Sequence, residues 1–221
     1  MLSASNIIKN PIRNIVEKHS NLVNYSYDLT KWTQTGTAVS ALNAVGIFGE
    51  SNTATTLTDD DVAAYERVER IVTIPATYFS ICWTVILPVD ADTSRYLYFD
   101  VAVTNGARYV DFMFNTTTGD YYVKNHTGNY SIKAYNINGW WVIVVYVNAD
   151  GGGTNARCRI FPAGGNVWGT ISTATTGTVV IGHAQCEINK REPEGIIVTN
   201  GTAKTGSMIK PIPFSRLVQP A

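Results

Sequence analysis

The side chains of this 221-residue chain with most scope for chemistry are aromatic rings that stand beside amides and carboxylates. Such sets suit sugar recognition, in which a flat ring lies against the apolar side of a pyranose and Asn or Asp groups read its hydroxyls. Three places fit: Trp168 with Asn166, Tyr121 and Tyr122 with Asp120, and Tyr130 with Asn125 and Asn129. Trp168 lies in a Gly-rich loop and is the best candidate for an exposed ring. The competing reading for each is a strand-end ring that covers the core or meets another subunit, because aromatics are also enriched at protein interfaces. Trp83, Trp140 and Trp141 sit in near-continuous apolar runs and are assigned to the core.

Catalytic and metal signatures are absent from the sequence. His19, His126 and His183 show no metal-ligand spacing, and there is no Gly-x-Ser-x-Gly elbow. Gly151–Gly153 follow Asp150 in a turn and lack the Lys-Ser/Thr of a phosphate loop. Acidic groups cluster at Asp59, Asp60 and Asp61 and at Glu192 and Glu194. A glycosidase needs two carboxylates roughly 5–10 Å apart across a cleft, which spacing along a chain does not specify. The Asp run reads as a solvated loop or helix start rather than a catalytic or calcium site. Cys82, Cys158 and Cys186 are too few and too scattered for a disulfide framework, and read as small buried hydrophobes. The expectation is no catalytic residue, no metal and no cofactor.

Charged residues make up only 15% of the chain, against roughly 25% in ordinary globular proteins. Lys+Arg and Asp+Glu are both 17, so the formal net charge is zero. A neutral chain argues against nucleic-acid binding, which needs a basic surface to displace phosphate counterions. No run approaches the roughly 20 apolar residues of a membrane span, and the opening residues do not read as a secretion signal. Assembly in a cytoplasm is the expectation.

From about residue 21 the hydrophobic pattern has the period of strands. Leu97, Phe99, Val101 and Val103 fall on one face of the run 95–103, and residues 107–115 alternate likewise. Asn105-Gly106 between them is a hairpin signal, since both residues tolerate positive φ. Tyr78 to Leu87 and Trp140 to Val147 are almost wholly apolar and predict central strands buried on both faces. Further strands are predicted at 120–124, 130–135, 156–161 and 177–188. A loop or single helical turn is expected at 59–64, with a strand from about Tyr65. Many short strands with Gly/Asn turns and no alternating helices point to a sandwich or barrel.

The ends differ. Residues 1–20 carry Ile7, Ile8 and Ile12 around Pro11, and residues 204–221 carry Ile209, Ile212, Phe214 and Leu217 around Pro211 and Pro213. Each segment is apolar but too short for a core, so each reads as an assembly arm that lies on another surface.

The order of motifs resembles a β-sandwich module of bacteriophage tail, fibre and other virion proteins. Asn21 to Trp32 is similar to its N-L-L-x-Y-S-x-D-F-x-x-x-W opening, and Phe114 to Asp120 to its F-D-x-x-T-G hairpin. Asn138 to Val142 is similar to its G-W-Y/W-R-V strand start. His183 to Glu187, followed by Pro193 and Asn200 to Ala203, is similar to its closing G-A-Q-x-E … P-T-x-G-T-x segment. The matches span residues 21–203. Departures are Cys186 in place of Leu, His183 in place of Gly, and Ile143 in place of a polar residue.

The resemblance implies an all-β antiparallel jelly-roll β-sandwich, similar to carbohydrate-binding modules and concanavalin-like lectins, with extended N- and C-terminal arms. On this reading residues 1–20 are an anchoring arm, 21–203 the sandwich and 204–221 an extended tail. Taken with the apolar termini and the low charge, the resemblance leads to the expectation of a virion structural protein, a decoration, collar, baseplate or fibre component, that docks by its ends. The expected partners are other virion proteins and further copies of itself (a trimer by preference in this class), with bacterial surface polysaccharide added where the module also acts as an adhesin. A dedicated glycan-binding receptor protein is the alternative, and a polysaccharide-cleaving enzyme ranks below both.

Overall fold

The computed structural model describes residues 20–201 and 204–205, apart from 37, 76, 90–95, 105–107, 149–152, 173 and 194. The arm residues Ile7, Ile8, Ile12, Ile209, Ile212, Phe214 and Leu217, and the Asn105-Gly106 turn, lie outside the described residues.

Strand-forming sequence accounts for nearly all the regular structure. In chain order the strands are β1 (Ser20–Asn21), β2 (Thr33–Thr35), β3 (Val39–Ala44), β4 (Ala54–Asp59), β5 (Arg67–Thr73), β6 (Ser80–Pro88), β7 (Tyr96–Thr104) and β8 (Arg108–Phe114). They continue as β9 (Tyr121–Thr127), β10 (Tyr130–Ile137), β11 (Trp140–Asn148), β12 (Asn155–Gly165), β13 (Gly177–Ile181), β14 (His183–Ile188) and β15 (Lys204–Thr205). A single 3-10 turn at Leu29–Lys31 follows Asp28, whose carboxylate accepts from the Thr30 amide.

A six-stranded antiparallel sheet has the order β2-β5-β12-β7-β8-β9, and a four-stranded one the order β10-β11-β6-β14. Their inner faces share one core. Phe99, Val101, Val110, Phe112, Phe114 and Ile160 come from the first sheet, and Trp83, Val85, Ile143, Val145 and Cys186 from the second. The Phe114 and Trp141 rings meet edge to face across it, with centroids 5.9 Å apart. Strands β6 and β11 are central, and both outward and inward residues are buried, as their continuous apolar runs predict. Strands distant in sequence lie side by side, β12 between β5 and β7 and β6 between β11 and β14, which is the interleaving of a jelly roll.

Three details depart from the sequence reading. The run 177–188 is two strands, because Gly182 passes the chain from a three-stranded sheet (β13-β4-β3) to the four-stranded one. A side chain at Gly182 would strike Trp140 and Ile47, so glycine is required there by packing. Trp140 itself is not in the main core; it is partly buried and packs on the outside of the four-stranded sheet against Cys82, Ile86, Val142 and Val144. Asp59 is buried at the end of β4 rather than solvated, although a loop joins it to β5 as expected.

The motif residues that carry the resemblance close the sandwich. The Asn21 side chain accepts from the Val23 and Cys186 amides and donates to the Ile197 carbonyl. The Gln185 amide donates to Gly195 O and Glu187 Oε2 and accepts from Ile197 N, so it stands in for a strand partner under segment 193–197. Trp141 Nε1 donates to Thr116 O at 2.5 Å, and Gly119, at φ +79°, lets the turn approach that ring. A methyl group on Gly119 would lie 2.4 Å from it.

Candidate functional site

Period-two alternation gives the six-stranded sheet a second face, pointing away from the core. Between the buried residues of β7, β8 and β12 stand Tyr98, Asp100, Asp111, Met113, Arg157, Arg159 and Phe161. Register aligns them in rows across the strands. One row is polar: Thr33, Glu69, Arg159, Asp100, Asp111 and Asn125 are successive cross-strand partners over all six strands. The adjacent row is aromatic: Phe161, Tyr98, Met113 and Tyr122 are successive partners, and the Arg67 guanidinium lies over the Phe161 ring.

The polar row is closely paired. Arg157 Nη2 reaches both oxygens of Asp100, Arg159 Nη1 donates to Asp100 Oδ2 at 3.1 Å, and Arg159 Nε binds Glu69. Asp111 stands directly opposite Asp100, an unfavourable like-charge placement. It is offset by the Tyr98 hydroxyl at 2.6 Å, the Asn125 amide at 2.6 Å and the Asn125 side chain at 3.2 Å. Burial and the adjacent Asp111 hold the Tyr98 hydroxyl protonated well above the ordinary tyrosine range.

Loop 165–172 folds over one end of this face. The Gly169 amide donates to Met113 Sδ at 3.3 Å, and the Ser172 amide returns to Gly164 O. The loop presents Trp168 edge to face with Tyr96, at 5.1 Å between centroids, and with Tyr122, at 6.4 Å. Trp168 is 38% exposed and Tyr122 45%, so the cluster is an open aromatic platform on a packed base of Met113, Tyr98 and Phe161.

Of the six residues singled out from sequence, the fold brings Trp168 and Tyr122 together. Asn166 is exposed in the same loop as Trp168. Tyr121 points to the opposite side of β9, where it meets the core ring Phe112 at 6.4 Å and remains 43% exposed. Asp120 is engaged in its own turn, accepting from Thr118 Oγ1 at 2.7 Å. Tyr130 sits at the seam between the two sheets, its ring 4.7 Å from that of His126. Sequence reasoning missed Tyr96, Tyr98, Phe161 and the arginines. Their signal was the minority register of each alternating run, the positions skipped when the core face was counted.

Elsewhere several ionisable groups are buried. Burial drives Cys82 up to about 12 and raises Cys158 and Cys186, consistent with buried apolar thiols. Burial lowers His183 to about 4, so it is neutral in the fold, where its Nε2 lies 3.3 Å from Gln185 Oε1. Among the described residues no group of three His, Cys, Asp or Glu side chains could hold a metal ion.

Fold and face together define an all-β antiparallel sandwich of jelly-roll type with an ordered polar-aromatic outer surface. No family model matches the chain, and no curated protein matches it.

Proposed function

We propose that this chain is a non-catalytic structural module of a bacteriophage particle, held there by its ends, that uses the outer face of its six-stranded sheet to adhere to bacterial surface glycan. The observation that carries the glycan reading is the convergence of Trp168, Tyr122 and Tyr96, from three separate segments, into one exposed aromatic platform. Such a platform is the usual means of holding the apolar face of a sugar ring, and the hydroxyl and amide groups of the neighbouring rows suit its edges. The carboxylates of the face are tied to Arg157, Arg159, Tyr98 and Asn125, which favours binding over cleavage.

The particle reading is supported by the ordered motifs between residues 21 and 203 and by the pairing of β1 with β15. Ser20 pairs with Thr205 and Asn21 with Lys204, so residues 20 and 205 lie side by side. The apolar sequences on either side of this pair suit attachment to other virion proteins, or to further copies of this chain in a trimer.

Two experiments test these parts. Binding to purified cell-wall polysaccharide should be lost in Trp168→Ala with the unfolding midpoint unchanged; retained binding removes the platform. Deleting residues 1–19 and 206–221 together should leave a folded sandwich that fails to enter particles, and normal incorporation removes the anchoring role.

A further inference from the structure

Arg67 stands on the same outer face, at the β5 end of the aromatic row, with its guanidinium 5.6 Å from the centre of the Phe161 ring. The neighbouring carboxylates are already taken. Arg157 holds both oxygens of Asp100, and Arg159 spans Asp100 and Glu69. Among the described residues Arg67 forms no ion pair, and its Nε is buried without a hydrogen-bond partner.

The local electrostatics agree with that geometry. Burial, and then the charge of Arg159, lower the Arg67 pKa from its ordinary value, only partly offset by the nearby carboxylates of Glu69 and Asp100. A partly desolvated cation with no direct ion pair is unfavourable, and its planar fork of N–H donors matches a carboxylate or phosphate. From β5 to β9 is four strand spacings, about 19 Å, so one oligosaccharide can reach from Arg67 to the Trp168–Tyr122 platform.

We propose, resting on the glycan reading above, that Arg67 receives an oxyanion substituent of the polysaccharide, so that the ligand is an acidic glycan rather than a neutral one. The oxyanion is the carboxylate of a uronic-acid unit or a phosphate within the polymer. Phe161 supplies the floor under the guanidinium, and the Asp100 and Glu69 pairs keep the other two arginines from competing for the anion.

The test is calorimetric titration of the full chain at low salt with three probes. These are oligogalacturonate, its methyl-esterified neutral form of equal length, and a poly(glycerol phosphate) oligomer. At least one acidic probe should bind tenfold or more tightly than the neutral one, and whichever does so identifies the source of the anion. Arg67→Gln should abolish that preference, so that acidic and neutral probes bind alike, and Arg67→Lys should restore part of it. In the wild-type chain the Arg67 Nε–H resonance should shift with the acidic probe and not with the neutral one, a readout that does not depend on the variants folding. Equal affinity for acidic and neutral probes, with both lost in Trp168→Ala, overturns the Arg67 assignment alone. Affinity for every probe that survives Trp168→Ala overturns the platform reading on which it rests.

Discussion

Arg157 Nη2 donates to both carboxylate oxygens of Asp100, at 3.0 and 2.8 Å, reaching diagonally from β12 to β7. Arg159, directly opposite Asp100, shares the same carboxylate. Asp100 is therefore the hub of the polar row. Asp100→Asn keeps the shape and removes the charge, leaving two arginines balanced by Glu69 alone. The expected loss is about 2 kcal/mol, below the ~3–5 typical of a fully buried pair because these side chains keep some water contact. Urea unfolding should show a lower midpoint at unchanged slope; a midpoint within error of wild type would show that the row contributes nothing.

The two adjacent tyrosines should behave differently. Tyr122→Ala removes a wall of the Trp168 cluster and should weaken glycan affinity about tenfold, or roughly 1.4 kcal/mol. Tyr121→Ala lies on the other side of β9 and should leave affinity unchanged. Equal losses in side-by-side titrations would show that the binding face is assigned to the wrong side of the sheet.

Acid stability holds two opposed contributions. His183 has a folded pKa of about 4 against an ordinary 6.5, so the unfolded chain takes up the proton first. Its share of stability is intact above pH 6.5 and is lost as pH falls toward 4, by about 3 kcal/mol. Asp59 is displaced the other way, from 3.8 up to about 6, by burial and then by the Glu66 carboxyl beside it. The folded chain holds that proton more tightly, so stability falls by about 3 kcal/mol as pH rises from 3.8 to 6. The two slopes nearly cancel between pH 4 and 6. Asp59→Asn should expose a steep acid loss, and His183→Gln should yield a protein that gains stability on acidification. Denaturation midpoints across that range check both signs, and parallel profiles for the two variants would refute the assignment.

Asn21 joins three segments through one buried amide. Asn21→Ala would strand the Val23 and Cys186 amides and the Ile197 carbonyl, at about 1 kcal/mol each, for a loss near 3 kcal/mol. Faster hydrogen exchange confined to 21–26 and 195–199 would accompany it. Uniform exchange across the sandwich would place the clamp elsewhere.

Much of the fold was legible because strand periodicity is local. The alternation of Leu97, Phe99, Val101 and Val103 identified β7 and its buried face, and the apolar runs around Trp83 and Val145 identified central strands. Period alone did not show that Gly177 to Ile188 changes sheet, because the reason for a glycine at 182 is the nearness of Trp140 and Ile47, which are distant in sequence. Trp140 was placed in the main core because a run buried on two faces gives no hint of which residues point to which side.

The amino-acid order by itself determined that this chain is built of antiparallel strands, which residues could be buried, and that aromatic rings accompany polar groups near the turns. Those properties depend on neighbours one or two positions away. Only the tertiary structure decided that Trp168 meets Tyr122 and Tyr96, that Tyr121 is turned from them, and that Arg67 lies over Phe161 while Arg157 and Arg159 hold Asp100 and Glu69. Sheet order and register make those choices, by pairing residues tens of positions apart, and no local pattern encodes which strand will lie beside which.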